Sequence, residues 1–306
     1  MITRRQFNQL LVSLSVTTAL TPNSLAKMSS KVLKVIPKSG EKISAIGMGT
    51  WITFDRQKTD TDINRYVQIL HHFFQQGGQM IDSSPMYGYA QQFLGELLAN
   101  VQSKQDLFTA TKVWTPGKNA GIKQMQRSAQ LWGIKKFDLM HVHNMLDWKT
   151  QLKTLNEWKQ QGKLRYSGIT TSHGRRHVDL IPMLKKNPID FVQFSYNILD
   201  RKAEDYLLPL AQDLGVAVVI NRPFKSGALF NRVHDKELPK WTKEIGCQTW
   251  SQFFLKYVIS HPAITCAIPA TSQLSHMQEN MQALYSPLPD AHMRQEMHRY
   301  FDYLTK

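Results

Sequence analysis

Along the chain, apolar positions follow two rhythms that alternate. Short runs rich in β-prone residues are each followed by a longer stretch whose apolar residues fall three and four apart, the spacing of one helix face. The first run is Ile46-Gly47-Met48-Gly49-Thr50-Trp51. The first helical stretch, 62–76, carries Ile63, Val67, Leu70 and Phe74 before Gly77-Gly78 stops it. Strands are predicted to begin near residues 46, 79, 107, 137, 164, 191, 216 and 264. Helices are predicted over 90–100, 122–132, 152–161, 178–186, 203–214 and 248–259, with 273–284 and 291–304 at the end. Ahead of the alternation, 32–36 and 42–46 flank Lys38-Ser39-Gly40 and read as a β-hairpin, while 230–246 reads as an insertion.

Eight strand and helix units over about 250 residues predict an α/β fold, a closed (β/α)8 TIM barrel with an N-terminal hairpin and an extra C-terminal helix. A doubly wound open sheet is the rival, and it calls for a glycine fingerprint. Gly47-Met48-Gly49 lacks the third glycine. A barrel also predicts functional residues at strand carboxyl ends. Asp82 ends the run Met80-Ile81, and the turn Ser83-Ser84-Pro85 swings Tyr87 back over that edge. Lys112 ends the run from Phe108, and His143 the run from Phe137.

A carboxylate, a phenol, an ammonium and an imidazole on one rim make a proton-transfer device. A phenol releases its proton at about pH 10, so it needs a nearby cation to cycle at neutral pH, and Lys112 can supply one. Asp82 would hold the ammonium charged and in place, and His143 would hydrogen-bond a substrate oxygen. Taken singly, each has an ordinary reading, as loop carboxylate, packing aromatic, solvated strand end or core histidine. Their joint position at consecutive strand ends favours a shared site. His141 has the parity of His143, which leaves both a pocket and a packed position open.

Lys and Arg outnumber Asp and Glu by 38 to 23, a net charge of +15. The cations are scattered in pairs such as Lys135-Lys136, so no nucleic-acid partner is expected, and the field suits anionic ligands. Cys247 and Cys266 show no paired or metal-binding spacing, which predicts packed free thiols and no metal site. Residues 1–26 stand apart from a single domain over 27–306. Thr3-Arg4-Arg5-Gln6-Phe7, a mildly apolar run over 10–20 too short for a stable membrane span, and Ser24-Leu25-Ala26 resemble a twin-arginine export signal. Such a signal implies a meeting with export machinery and a periplasmic or exported protein, or a cytoplasmic one if the leader is unused.

Over almost all of the chain after that signal, the sequence resembles the aldo-keto reductases. Gly47-Met48-Gly49-Thr50-Trp51 is similar to their opening strand. Ile81-Asp82, Tyr87-Gly88, Thr111-Lys112 and Asp138-Leu139 through His143 are similar to their catalytic segments, in order. The resemblance implies reduction of an aldehyde or ketone to an alcohol by hydride from NAD(P)H. Tyr87 would be the proton donor, with Asp82, Lys112 and His143 completing the tetrad. A catalytically slow nucleotide-binding accessory or redox sensor on the same barrel is the alternative. The resemblance further implies carboxamide contacts from Thr170 and Thr171, where the family often has Ser-Asn, and from Gln193. Asn221-Arg222-Pro223-Phe224 stands where many members stack a tyrosine on nicotinamide, and Lys225, Ser226, Gly227 and Leu229 follow as a pyrophosphate loop. Ala270, Thr271, Ser272, His276, Glu279 and Asn280 fall at the adenosine-phosphate site, with Ala270 and His276 in place of the usual Lys and Arg. Histidine is a weaker clamp than arginine, but NADP(H) is still favoured over NAD(H). Trp51, Phe54 and Trp114 are the expected aromatic walls of a small-molecule cleft.

Overall fold

Two strands, β1 (Leu33–Val35) and β2 (Lys42–Ser44), pair antiparallel across the Ser39-Gly40 turn, and the parallel strands of a barrel follow in sequence order. The computed structural model describes residues 30–55, 60–102, 104 and 106–305. The export-signal stretch, 1–26, lies outside the described residues. The first half of the barrel runs β3 (Met48–Gly49), α1 (Asp60–Gln75), β4 (Met80–Asp82), α2 (Ala90–Ala99), β5 (Phe108–Val113), α3 (Lys118–Trp132), β6 (Phe137–Val142) and α4 (Trp148–Gln160). The second half runs β7 (Leu164–Thr170), α5 (His177–Lys186), β8 (Phe191–Ser195), α6 (Leu207–Asp213), β9 (Ala217–Asn221), α7 (Ala228–Arg232), α8 (Trp250–Ile259) and β10 (Cys266–Ala267). Two helices, α9 (Leu274–Gln282) and α10 (Ala291–Leu304), complete the chain. Strands β3 to β10 lie in sequential order, and Gly47 N donates to Ala267 O (2.8 Å) and Gly49 N to Pro269 O (3.0 Å), which closes the barrel.

Alternation along the strands sorts the side chains into two cores. Met80, Phe108, Leu139, Tyr166, Phe191, Val219 and Cys266 fill the barrel, and Ile36 and Ile43 of the hairpin join them, plugging the amino-terminal end. Tyr166 fixes that plug by donating from its hydroxyl to Glu41 Oε2 (2.7 Å) and meeting Ser39 Oγ at 2.8 Å. The opposite faces of the strands pack on the helices in a larger cluster. With one mouth closed, the carboxyl end is the open one.

Several boundaries differ from those the sequence predicts: the helices at Lys118–Trp132 and Trp148–Gln160 each begin four residues early, and three further departures have a local cause or add structure. The first and last barrel strands shrink to two residues each, because around the closing seam the chain pairs only through single bridges at Ile46 and Gly49. The stretch 203–214 is divided into a 3-10 turn at Lys202–Glu204 and α6. Pro209 explains the break: lacking an N–H, it fits the first turn of a helix, so α6 begins just before it. The insertion 230–246 is not irregular throughout, since it overlaps α7 and includes a 3-10 helix at Lys240–Ile245.

Candidate active site

Strand β4 buries all three of its residues and delivers Asp82 to the open mouth. Ser83 N continues the ladder to Ala110 O (3.0 Å), and the chain then turns, with Tyr87 N donating to Ser84 O (3.0 Å). Gly88 completes the turn at φ +53°, where a Cβ would overlap Asp55 Oδ1, so only glycine fits. This turn folds Tyr87 back over the neighbouring strand end. There the fully buried Lys112 Nζ donates to Asp82 Oδ2 (2.5 Å) and to Ser83 O (2.8 Å), and lies 5.0 Å from the Tyr87 ring centroid. The second Asp82 oxygen accepts from Gln193 Nε2 (3.1 Å). His143 stands just past β6 with its ring perpendicular to that of Tyr87, centroids 5.9 Å apart, and its Nδ1 is 2.8 Å from Ser84 Oγ.

Burial dominates the electrostatics of this cluster. It raises the Asp82 carboxyl, which Lys112 and the Gln193 amide offset in part. It works against the Lys112 ammonium as well, but Asp82 and Tyr87 together outweigh it and hold the amine above its usual value. Burial followed by the Lys112 charge drives His143 down to about 2, so the imidazole is neutral at any ordinary pH. Tyr87 departs from the sequence expectation. Burial raises the phenol above its usual value, and the nearby ammonium only moderates the rise. The ring is therefore a neutral, proton-carrying phenol at neutral pH.

Asp82, Tyr87 and His143 open onto a cavity of about 780 Å3, with Lys112 directly behind them. Its walls include Trp51, Thr170, Gln193, Asn221, Arg222, Pro223, Phe224, Ser226 and Gly227, and beyond them Ala270, Thr271, His276, Glu279 and Asn280. Six other sequence candidates do not line it. Phe54 is wholly buried, edge-on to Tyr66 (4.7 Å) and tilted against Phe93 (5.9 Å), so it serves the core. Leu229 is likewise buried between helices and barrel. Lys225 is spent on Asp200 at 3.0 Å. Thr171 gives its carbonyl to Asn221 Nδ2 (3.0 Å) and its hydroxyl to His173 O, and Ser172 takes the wall position instead. Ser272 is carried off the wall as the chain turns from Thr271 Oγ1 to Gln273 N (3.0 Å). Trp114 stands exposed at the rim, 6.5 Å from the His143 ring.

His141 is inside the barrel, opposite Lys112 in the ladder and below His143. Among the described residues neither ring nitrogen has a hydrogen-bond partner of normal geometry, although the Thr111 backbone is near enough to favour the charged form slightly. Burial, then Lys112, holds its pKa well below the usual histidine value. Two residues that the sequence reading left out complete the site. Ser84 orients His143; it lies in the Ser-Ser-Pro turn, but nothing in that turn reveals which imidazole it will meet. Asn144 lines the cavity at φ +51°, its N–H on Thr170 Oγ1 (3.1 Å) and its carbonyl accepting from Arg176 Nη1 (3.0 Å). Asparagine tolerates the left-handed region, and its place directly after His143 was the available signal.

The sequence profile described as the Aldo/keto reductase family matches residues 45–296. The chain belongs to that family. Among its relatives is an uncharacterized oxidoreductase, YqkF, of Bacillus subtilis, 23% identical over 281 residues that cover 79% of this chain and 87% of the relative. Another is an NADH-specific methylglyoxal reductase of Escherichia coli, 26% identical over 234 residues, 64% of this chain and 68% of that one. The holo form of an aldo-keto reductase from Bacillus halodurans superposes with a TM-score of 0.72 at 23% identity, covering 90% and 97% of the two chains. An aldo/keto reductase from Klebsiella pneumoniae, in complex with NADP and acetate, gives 0.71 at 20% identity over 88% and 95%. These likenesses establish the barrel, and family membership makes this aldo/keto reductase an oxidoreductase.

Proposed function

We propose that this aldo/keto reductase reduces an aldehyde or ketone to an alcohol with NADPH, and that Tyr87 gives the carbonyl oxygen its proton. The observation that carries the reading is the buried chain Asp82–Lys112–Tyr87, which meets His143 at the floor of the cavity. The cavity fits a dinucleotide on its own chemistry. Asn144 Oδ1, Asn221 Oδ1 and Asn280 Oδ1 are buried on its walls without a hydrogen-bond partner among the described residues. Each such oxygen costs about 1–3 kcal/mol while unpaired, and a nicotinamide dinucleotide carries amide and amine donors that can meet them. Asn144, Thr170, Gln193 and Asn221 would hold the carboxamide end, with Thr271, His276, Glu279 and Asn280 at the adenosine end. Bound there, the cofactor supplies hydride to the carbonyl carbon.

The protein's own residues do the rest. Ser84 Oγ accepts from Met86 N (3.4 Å), so its hydroxyl hydrogen is free for His143 Nδ1. With Ser84 donating to Nδ1, the ring proton is on Nε2, where it would donate to the substrate oxygen and align it. Tyr87 then releases its proton to that oxygen, and the Lys112 ammonium stabilises the phenolate left behind. Asp82 keeps Lys112 charged and fixed. NADPH is favoured over NADH because the Klebsiella relative holds NADP, although the Escherichia coli relative is named NADH-specific.

Purified protein incubated with NADPH and a panel of aldehydes and ketones tests this reading through loss of nicotinamide absorbance. Turnover that disappears in Lys112→Met supports it. Turnover indifferent to that change refutes the assigned chemistry. We further infer that residues 1–26 direct export of the folded protein. If so, Arg4→Lys with Arg5→Lys leaves the chain in the cytoplasmic fraction, and an unchanged distribution contradicts it.

A further inference from the structure

Arg222 is the cavity residue with the least local reason for its charge. Its neighbour Lys225 is neutralised by Asp200 at 3.0 Å, whereas the Arg222 guanidinium meets no carboxylate or carbonyl among the described residues. Its backbone sits at φ +52°, a costly conformation for a long side chain, and is pinned there by Asn197 Nδ2 (3.2 Å) and Lys225 N (2.9 Å) on its carbonyl. Held so, the side chain places its guanidinium over the Trp51 indole, 5.2 Å from the ring centroid. The indole offers the guanidinium a π face and no acceptor, so the N–H donors of Arg222 stay available to an anion.

We propose that Arg222 binds a carboxylate carried by the substrate, so that the preferred substrates are flat, apolar or aromatic aldehydes and ketones bearing an acid group. The inference rests on the reductase reading above and names the substrate class of the same site. Three observations select a substrate anion. Arg222 and Trp51 line the same cavity and meet at 5.2 Å. Arg222 lines the same cavity as Tyr87 and acts weakly on the phenol electrostatically, so an anion held by it shares the cavity with the reacting oxygen. The surrounding rim is apolar, with Ile52 60% and Met86 38% exposed, and therefore suits the body of such a molecule.

The test pairs 4-carboxybenzaldehyde with its methyl ester as substrates, and the two corresponding benzyl alcohols as ligands of the protein with NADP, read by tryptophan fluorescence. The acid should be preferred over the ester by about 10–100-fold in kcat/KM and in alcohol affinity. Arg222→Met should bring both ratios to near one, mainly through KM, and Arg222→Lys should restore part of the preference. Equal treatment of acid and ester by the unmodified protein would overturn the proposal. So would an Arg222→Met variant that loses NADPH affinity and both substrates in equal proportion, the signature of a guanidinium serving the cofactor pyrophosphate. If neither these aldehydes nor the wider panel is turned over, the reductase reading fails, and the alcohol affinities still decide the role of Arg222.

Discussion

Single side chains at the mouth of the barrel divide between those that touch a reacting atom and those that hold such a residue in place. Ser84 belongs to the second kind. Ser84→Ala frees the His143 ring and unsettles its tautomer, and should lower kcat by about 10- to 100-fold with a smaller change in nucleotide affinity. Stopped-flow rates and a fluorescence titration would separate the two. His276→Arg should raise the NADPH over NADH preference by about tenfold, since a planar fork replaces a weaker clamp where the sequence lacks the usual cations. The ratio of kcat/KM for the two cofactors measures it, and an unchanged ratio means that the 2′-phosphate lies elsewhere. At this scale the sequence was informative about residues that end strands and poor about those that follow them. Asp82, Lys112 and His143 are placed by strand parity. Phe54 and Leu229 are near the rim in sequence, but a loop does not say which way its side chain turns, and both turned into the core.

Between elements, the barrel interior makes its own demands. Gly168 of β7 faces His141 of β6, and a Cβ there would lie 2.4 Å from His141 Cδ2 and 2.7 Å from Phe191 O. Gly168→Ala should therefore destabilise the fold by about 1–3 kcal/mol through overpacking, read by denaturant unfolding. Adding His141→Leu should recover only part of that loss, because the Phe191 backbone cannot move aside. The alternation of eight short apolar runs with helical stretches made the barrel legible, because each unit repeats the same two rhythms. What escaped was set by local exceptions: Pro209 moved a helix start, and single bridges at the seam shortened two strands. The last helix, α10, was read to the residue. It buries Met297 and Phe301, each worth about 1.5–3 kcal/mol, and anchors through Arg294 to Glu204 (2.7 Å) and Asp302 to Arg201 (2.9 Å).

For the molecule as a whole, several histidines are held neutral by the fold. His143 is lowered to about 2 and His261 to about 4, both chiefly by burial, and His141 lies well below its usual value for the same reason. A depressed folded pKa means that the unfolded chain takes up protons first as pH falls. The stability these groups contribute is thus complete above about pH 6.5 and is lost progressively as pH falls below it toward their folded values. Unfolding free energy should decline from pH 6.5 to 4, and His141→Leu should flatten that decline. An equal slope in the variant would show that His141 is solvated. Tyr87 works in the other direction, since its raised pKa keeps the phenol protonated, and reduction should proceed undiminished to above about pH 10 before the acid is lost.

All of this turns on whether one phenol on this rim is the acid. The direct measurement is the single-turnover rate of hydride transfer from NADPH to a reactive aldehyde in Tyr87→Phe, with nucleotide affinity and unfolding measured on the same sample. The expected result is a loss of about 100- to 10,000-fold in rate with cofactor binding and stability retained. A variant that binds NADPH and transfers hydride at the unmodified rate would contradict the account.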